Sequence, residues 1–183
     1  MRIITGKAKG LKLITPKNSD VRPTSDRVKE SLFSIIGSKI CGAVVLDLFA
    51  GTGNLGLEAW SRGAEKITFV DESRASLKII QGNTVKARAE NDAVIINACV
   101  LKAIAELESK GKSFDFVFCD PPYDKGWPEK VIRQFLKHRI ITAGGYLVLE
   151  YSAREKLPTL PSEVTEVRTE KYGDTRVSFL NWQ

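Results

Sequence analysis

Two short segments carry side chains that could do chemistry: Asp120-Pro121-Pro122-Tyr123, and Asp47-Leu48-Phe49-Ala50-Gly51-Thr52-Gly53-Asn54-Leu55-Gly56. The first suits a reaction at a weakly nucleophilic amine. An exocyclic amino group on a base has its lone pair delocalised into the ring, so it attacks only when it is held and bent toward tetrahedral geometry. A side-chain oxygen of Asp120 and the carbonyl of Pro121 could each accept one of its N–H groups. Two successive prolines, Pro121 and Pro122, fix φ and remove two backbone donors, which leaves carbonyls free to face a ligand. Tyr123 could stack on a base drawn out of its helix or loop. The plainer alternative is an Asp-Pro-Pro turn that only ends a strand.

In the second segment Gly51, Gly53 and Gly56 match the spacing G-x-G-x-x-G, which serves dinucleotides and S-adenosylmethionine (SAM) alike. Its flanks discriminate. Asp47 would repel a pyrophosphate but can pair with the α-ammonium group of SAM, although it could equally cap a helix. Asp71, about one βα unit further on, can accept hydrogen bonds from both ribose hydroxyls, and the Asn97-Ala98 step is placed to meet adenine. The candidate cofactor set is Asp47, Phe49, Ala50, Gly51, Gly53, Asn54, Asp71, Glu72, Asn97 and Ala98. Gly56 reads instead as a site of close helix–strand packing.

These residues need a scaffold that brings strand ends together. Short apolar, β-branched runs at 43–49, 66–71, 93–97, 114–119 and 146–150 predict buried strands. Helix-period segments separate them. One is capped by Ser73 and turns Leu77, Ile80 and Val85 inward; one carries Leu101, Ile104 and Leu107; one opens at Pro128 and buries Val131, Ile132, Phe135 and Leu136. That rhythm predicts βαβ units and a mostly parallel sheet. Runs at 163–172 and 175–182 flank Gly173-Asp174, a favourable hairpin turn, and predict an antiparallel pair at the sheet edge. At the other end, Arg2–Thr5 and Leu11–Thr15 could pair as a small hairpin. A helix over 25–36, capped by Thr24 or Ser25 and stopped by Gly37, would turn Val28, Leu32 and Ile35 inward.

Charge and composition narrow the function further. The net charge is +6, and residues 1–30 hold eight Lys or Arg against three Asp or Glu, the footprint of a polyanion-binding arm or of a solvated lysine-rich surface. No apolar run is long enough to span a bilayer, and the N-terminus lacks the pattern of a signal peptide. Cys41, Cys99 and Cys119 are odd in number and widely spaced, which argues against disulfides and zinc and suits a reducing cytoplasm. His138 is the only histidine, so neither Ser-His catalysis nor a metal site is expected. Trp60, Trp127 and Trp182 read as packing residues, with Trp127 at the site rim.

Three segments together resemble the RsmD family, bacterial methyltransferases that modify guanine N2 in small-subunit ribosomal RNA. They are the stretch from Arg22-Pro23-Thr24-Ser25-Asp26-Arg27-Val28 to Phe33, the 47–56 loop, and Asp120–Tyr123. The first stretch is the specific one; the other two also occur in amino-methyltransferases acting on DNA adenine or protein glutamine. The resemblance implies an α/β, Rossmann-like SAM-dependent methyltransferase fold. Its sheet would be seven-stranded and mostly parallel, with a C-terminal antiparallel hairpin and a small N-terminal extension (1–37) over the pocket of the 38–183 domain. It implies SAM as cofactor, S-adenosylhomocysteine as product, and catalytic roles for Asp120, Pro121, Pro122 and Tyr123. The substrate would be 16S ribosomal RNA, met within the small ribosomal subunit by a monomer without metal or membrane. Arg2, Lys12, Arg22, Thr24 and Arg27 would meet the RNA, although Arg22 and Arg27 could instead pair internally with Asp26 or Glu30. Tyr123 stands where family members often have Phe, and Asn97 where they often have Asp.

Overall fold

The structure is a computed structural model that describes residues 1–16 and 26–183 of the chain. Its centre is a seven-stranded sheet with strand order β3-β2-β1-β4-β5-β7-β6. The strands are β1 (Val44–Leu48), β2 (Lys66–Asp71), β3 (Ala93–Asn97), β4 (Phe114–Cys119), β5 (Ile141–Ser152), β6 (Val164–Tyr172) and β7 (Thr175–Trp182). The first five run parallel, and β7 inserts antiparallel between β5 and β6. The helices are α1 (Asp26–Ile36), α2 (Asn54–Ser61), α3 (Arg74–Ala87), α4 (Val100–Ser109) and α5 (Trp127–Lys137).

The central strands are apolar on both faces because helices cover both. Val45, Ile67, Phe69, Phe116 and Phe118 join one apolar cluster with Leu32, Phe33, Ile36, Leu55 and Ile80. Leu46, Leu48, Val70, Val117 and Leu147 join another with Val100, Ile104, Ile132 and Phe135. The outer strand β6 is different: most of it is exposed, it carries the charges of Glu166, Arg168, Glu170 and Lys171, and its pairing with β7 is broken by a register shift between Glu166 and Arg168.

The N-terminal hairpin forms as expected, with an Arg2–Lys12 bridge and an Ile3 N–H donated to the Leu11 carbonyl at 2.9 Å. It lies so close to the end of α2 that a Cβ on Gly6 would fall 1.8 Å from the Ser61 carbonyl oxygen, which only glycine allows. Ile3 and Leu13 enter the same apolar cluster as Phe33 and Ile36.

Some expected packing is displaced. Val85 is exposed rather than inward, and the inner face of α3 carries Asn83, Thr84 and Ala87 beside Ile80. The reason is polar. The segment after the hairpin crosses α3 outside any strand ladder, and Asn83 accepts the Ile14 N–H at 2.7 Å while donating to the carbonyls of Ile14 and Thr52. On α1, Val28 and Ile35 are only half-buried, and Lys29, Leu32, Phe33 and Ile36 form the buried face. Strand β5 starts at Ile141, before the expected 146. Ser73 caps α3 as expected, accepting the Ser76 N–H, whereas the caps expected at Thr24 or Ser25 lie outside the described residues.

Glu58 is fully buried on α2 and accepts from four donors: the Ile4 and Thr5 N–H groups (2.8 and 3.1 Å), Lys29 Nζ (3.1 Å) and Arg62 Nε (2.8 Å). Burial pulls the Lys29 pKa below its ordinary value, and Glu58 opposes that shift. Removing one member of such a buried set leaves uncompensated charge and costs about 3–5 kcal/mol. Glu58→Ala is therefore expected to lose at least about 3 kcal/mol in urea denaturation, and trypsin is expected to cut faster at Lys7 and Lys9 as the hairpin detaches.

Candidate functional site

Strand register carries the candidate residues to one edge. Asp47 lies opposite Phe69 and Phe118, Leu48 opposite Val70 and Cys119, and Asp71 opposite Asn97. Asp120 follows directly on β4. All therefore sit at or next to the carboxyl ends of β1 to β4. The order turns back between β1 and β4, and that switch point is where open α/β sheets form a ligand crevice.

The loop from β1 to α2 is tightly wound, with positive φ at Phe49 (56°), Gly51 (55°) and Gly53 (74°). Four of its backbone N–H groups are spent within the protein. Ala50 N–H donates to the Val70 carbonyl (3.1 Å), Gly51 N–H to Asp71 Oδ2 (2.8 Å), Gly53 N–H to the Ala50 carbonyl (2.7 Å) and Gly56 N–H to Asp47 Oδ2 (2.8 Å). A pyrophosphate needs such donors unspent. Gly56 packs as expected, since a Cβ there would stand 2.4 Å from the Phe69 ring.

Asp47 is 3% exposed and forms no ion pair among the described residues. Burial raises its pKa to about 8; the Gly56 N–H works against the shift and the neighbouring Asp71 adds to it. The helix-capping reading of Asp47 and the cation-binding one are thus compatible, because the cap uses one oxygen. A desolvated carboxylate beside a second carboxylate favours a positively charged ligand group. Asp71 accepts from Gly51 and from the Ser73 N–H (2.8 Å), one on each oxygen, and a carboxylate has about four lone-pair sites, so each oxygen can take another donor.

Other candidates are engaged elsewhere. Asn54 is buried, and its Oδ1 accepts from Lys29 Nζ at 2.7 Å, which turns it toward α1. The Asn97 amide donates to the carbonyls of Asp71 and Glu72 (3.2 and 3.1 Å), bracing the β2–α3 loop, where the Ala98 N–H also meets the Asp71 carbonyl. The Glu72 side chain is exposed.

Beyond β4, Pro121 is buried while Pro122 and Tyr123 are exposed. The Tyr123 hydroxyl donates to Glu150 Oε1 on β5 (2.5 Å) and lies 3.1 Å from Thr175 Oγ1 on β7, which fixes the ring while leaving it 37% exposed. Burial first, and then this bond to Glu150, push the phenol well above its usual range, so it stays neutral. Glu155 clamps the rest of the loop, accepting the N–H groups of Asp124 and Gly126. Sequence reasoning missed Glu150, Thr175 and Glu155; the one available signal was the need of a half-buried Tyr123 hydroxyl for a partner. Trp127 packs edge-on against Phe49, with ring centroids 4.8 Å apart.

Among the arm candidates, Arg2, Lys12 and Arg27 are exposed, while Arg22 and Thr24 lie outside the described residues. Asp26 pairs with Arg2 at 3.2 Å. The Cys119 thiol is buried and its pKa is pushed well up, which suits a core residue rather than a nucleophile. His138 pairs with Glu108 at 2.6 Å.

A family model described as Conserved hypothetical protein 95 matches residues 1–181. Ribosomal RNA small subunit methyltransferase D of Escherichia coli (strain K12) is 36% identical over 162 residues, 88% of this chain and 80% of that protein. The solved structure of yhhF from Escherichia coli superposes with a TM-score of 0.89 at 32% identity, over 100% of this chain and 98% of that one. An O-methyltransferase from Bacillus cereus, solved in complex with SAH, shares the fold alone, with a TM-score of 0.69 at 13% identity over 87% of this chain and 82% of its own.

The raised pKa of Asp47 has a measurable sign. The folded chain holds a proton that the unfolded chain has released, so this group makes stability fall as pH rises from about 4 toward about 8. Asp47→Asn keeps an acceptor for Gly56 and removes that penalty. Its melting temperature should exceed that of the unsubstituted protein by a margin that grows between pH 5 and pH 8, at roughly 2–4 °C per kcal/mol. A margin flat with pH would show that Asp47 does not carry the proton.

Proposed function

Since the chain belongs to the Conserved hypothetical protein 95 family, the RsmD family, we propose that it transfers the methyl group of SAM to the exocyclic N2 amine of a guanine in small-subunit ribosomal RNA. The observation that carries the reading is the placement of Asp120–Tyr123 at the β4 end, beside a glycine loop whose one buried, unpaired carboxylate is Asp47.

SAM supplies a methyl group on a positively charged sulfur, an electrophile that needs no further activation. The chain's residues bind and orient. Asp47 takes the cofactor's ammonium group through a charge-assisted hydrogen bond, and Asp71 takes ribose hydroxyls with the lone pairs its backbone contacts leave. An Asp120 oxygen and the Pro121 carbonyl accept the two N–H groups of the amine and draw its nitrogen toward tetrahedral geometry, which aims the lone pair at the methyl carbon. Tyr123, its hydroxyl tethered by Glu150, offers a fixed ring for the base to stack on. The exposed basic hairpin holds RNA phosphates through Lys7, Lys9 and Lys12.

The test offers methyl-labelled SAM with unmethylated small ribosomal subunits, protein-free ribosomal RNA and duplex DNA, and identifies the labelled nucleoside by mass spectrometry. N2-methylguanosine from ribosomal RNA is expected; N6-methyladenine from DNA, or label only in protein glutamine, would replace the substrate while keeping the amine chemistry. Asp120→Ala should lower kcat by roughly 100- to 1000-fold with SAM binding retained, and near-normal turnover would remove Asp120 from the mechanism. Charge reversal of Lys7, Lys9 and Lys12 should weaken RNA binding and flatten its dependence on salt; an unchanged slope would take the hairpin out of the RNA interface.

A further inference from the structure

Among the described residues, the indole Nε1 of Trp127 is the one buried side-chain polar atom without a hydrogen-bond partner. A buried donor left unpaired is costly, and such atoms are rare in folded proteins. Two neighbours of the ring bear on what it could bind. The Trp127 ring leans on Phe49, two residues after Asp47 and two before Gly51, so the indole packs against the glycine loop. Lys130 Nζ lies 5.1 Å from the centroid of the same indole, adding positive potential there. An uncharged donor beside a cation suits an anionic acceptor.

The loop spends several of its own donors within the protein. Glycine loops that hold anions usually do so with free backbone N–H groups. Here the N–H groups of Ala50, Gly51, Gly53 and Gly56 are all spent on Val70, Asp71, Ala50 and Asp47. The amino-acid end of SAM carries both an ammonium and a carboxylate. Asp47 answers the first and repels the second, which directs the carboxylate to donors away from Asp47 on the loop's rim.

We infer that the indole N–H of Trp127 receives the carboxylate of the cofactor's methionine end, with Lys130 supporting it electrostatically. The assignment rests on the reading that the 47–53 loop binds SAM. It makes Trp127 and Asp47 a donor–acceptor pair that recognises the two charges of an α-amino acid.

The test uses protein with 15N-labelled tryptophan, whose three indole N–H signals arise from Trp60, Trp127 and Trp182. The Trp127 signal is identified by its loss in Trp127→Phe, a change that keeps a ring against Phe49. The protein is titrated with S-adenosylhomocysteine and, separately, with 5′-methylthioadenosine, which lacks the carboxylate and ammonium. The Trp127 N–H is expected to move downfield with the first ligand and stay in place with the second. Trp127→Phe should weaken S-adenosylhomocysteine at least about 10-fold and change 5′-methylthioadenosine less than about 2-fold. If the first ligand binds without moving the Trp127 signal, or if the substitution weakens both ligands equally, the N–H rests on the Phe49 face and the inference fails. If neither ligand binds the unsubstituted protein, the cofactor reading itself falls, and this inference with it.

Discussion

A carboxylate sealed from solvent must be answered by donors, and much of this structure is arranged around how Glu58 is answered. Its partners come from three places: the backbone of the N-terminal hairpin, Lys29 on α1, and Arg62 at the end of α2. Lys29 extends the same network to the Arg2 carbonyl and to Asn54, the first residue of the helix that the glycine loop opens. The basic arm and the glycine loop therefore share one buried polar cluster. Helix α1, where the family-specific stretch continues, is fastened to it through a fully buried lysine.

The two buried carboxylates of this region are treated in opposite ways. Glu58 meets two cations and two amides, a closed set in which the carboxylate is answered within the protein. Asp47 meets one amide and sits near the negative Asp71, which is why burial dominates its titration. Physical chemistry separates the structural acid from the candidate binding acid by this difference in partners, since both are equally dry.

Much of the scaffold was legible in the sequence for plain reasons. The boundaries of β2 and β4 agree with the apolar runs because parallel strands covered on both faces must be apolar nearly throughout, and the edge strand β3 agrees although it is only half-covered. Gly56 announced close packing, and Gly173-Asp174 announced the final hairpin. What was not legible depends on partners far away in the chain. Asn83 looks like a surface residue in a helical pattern until the crossing segment at Ile14 supplies its role. Asn54 looks like part of the cofactor loop until Lys29 claims its side chain. Tyr123 announces a ring, but its tether to Glu150 and Thr175 spans 27 and 52 residues and follows only from the order of β4, β5 and β7.

The outer strand β6 bears on how the molecule behaves among copies of itself. An open sheet ends in a row of backbone donors and acceptors that can recruit another chain edge to edge. Here that edge carries alternating charges at Glu166, Arg168, Glu170 and Lys171, and the shift between Glu166 and Arg168 breaks the regular spacing a partner strand would need. Val167, the large apolar side chain left exposed there, sits within that irregular stretch. A nine-residue free edge could otherwise seed aggregation; in this form it offers a partner strand neither regular spacing nor an apolar face.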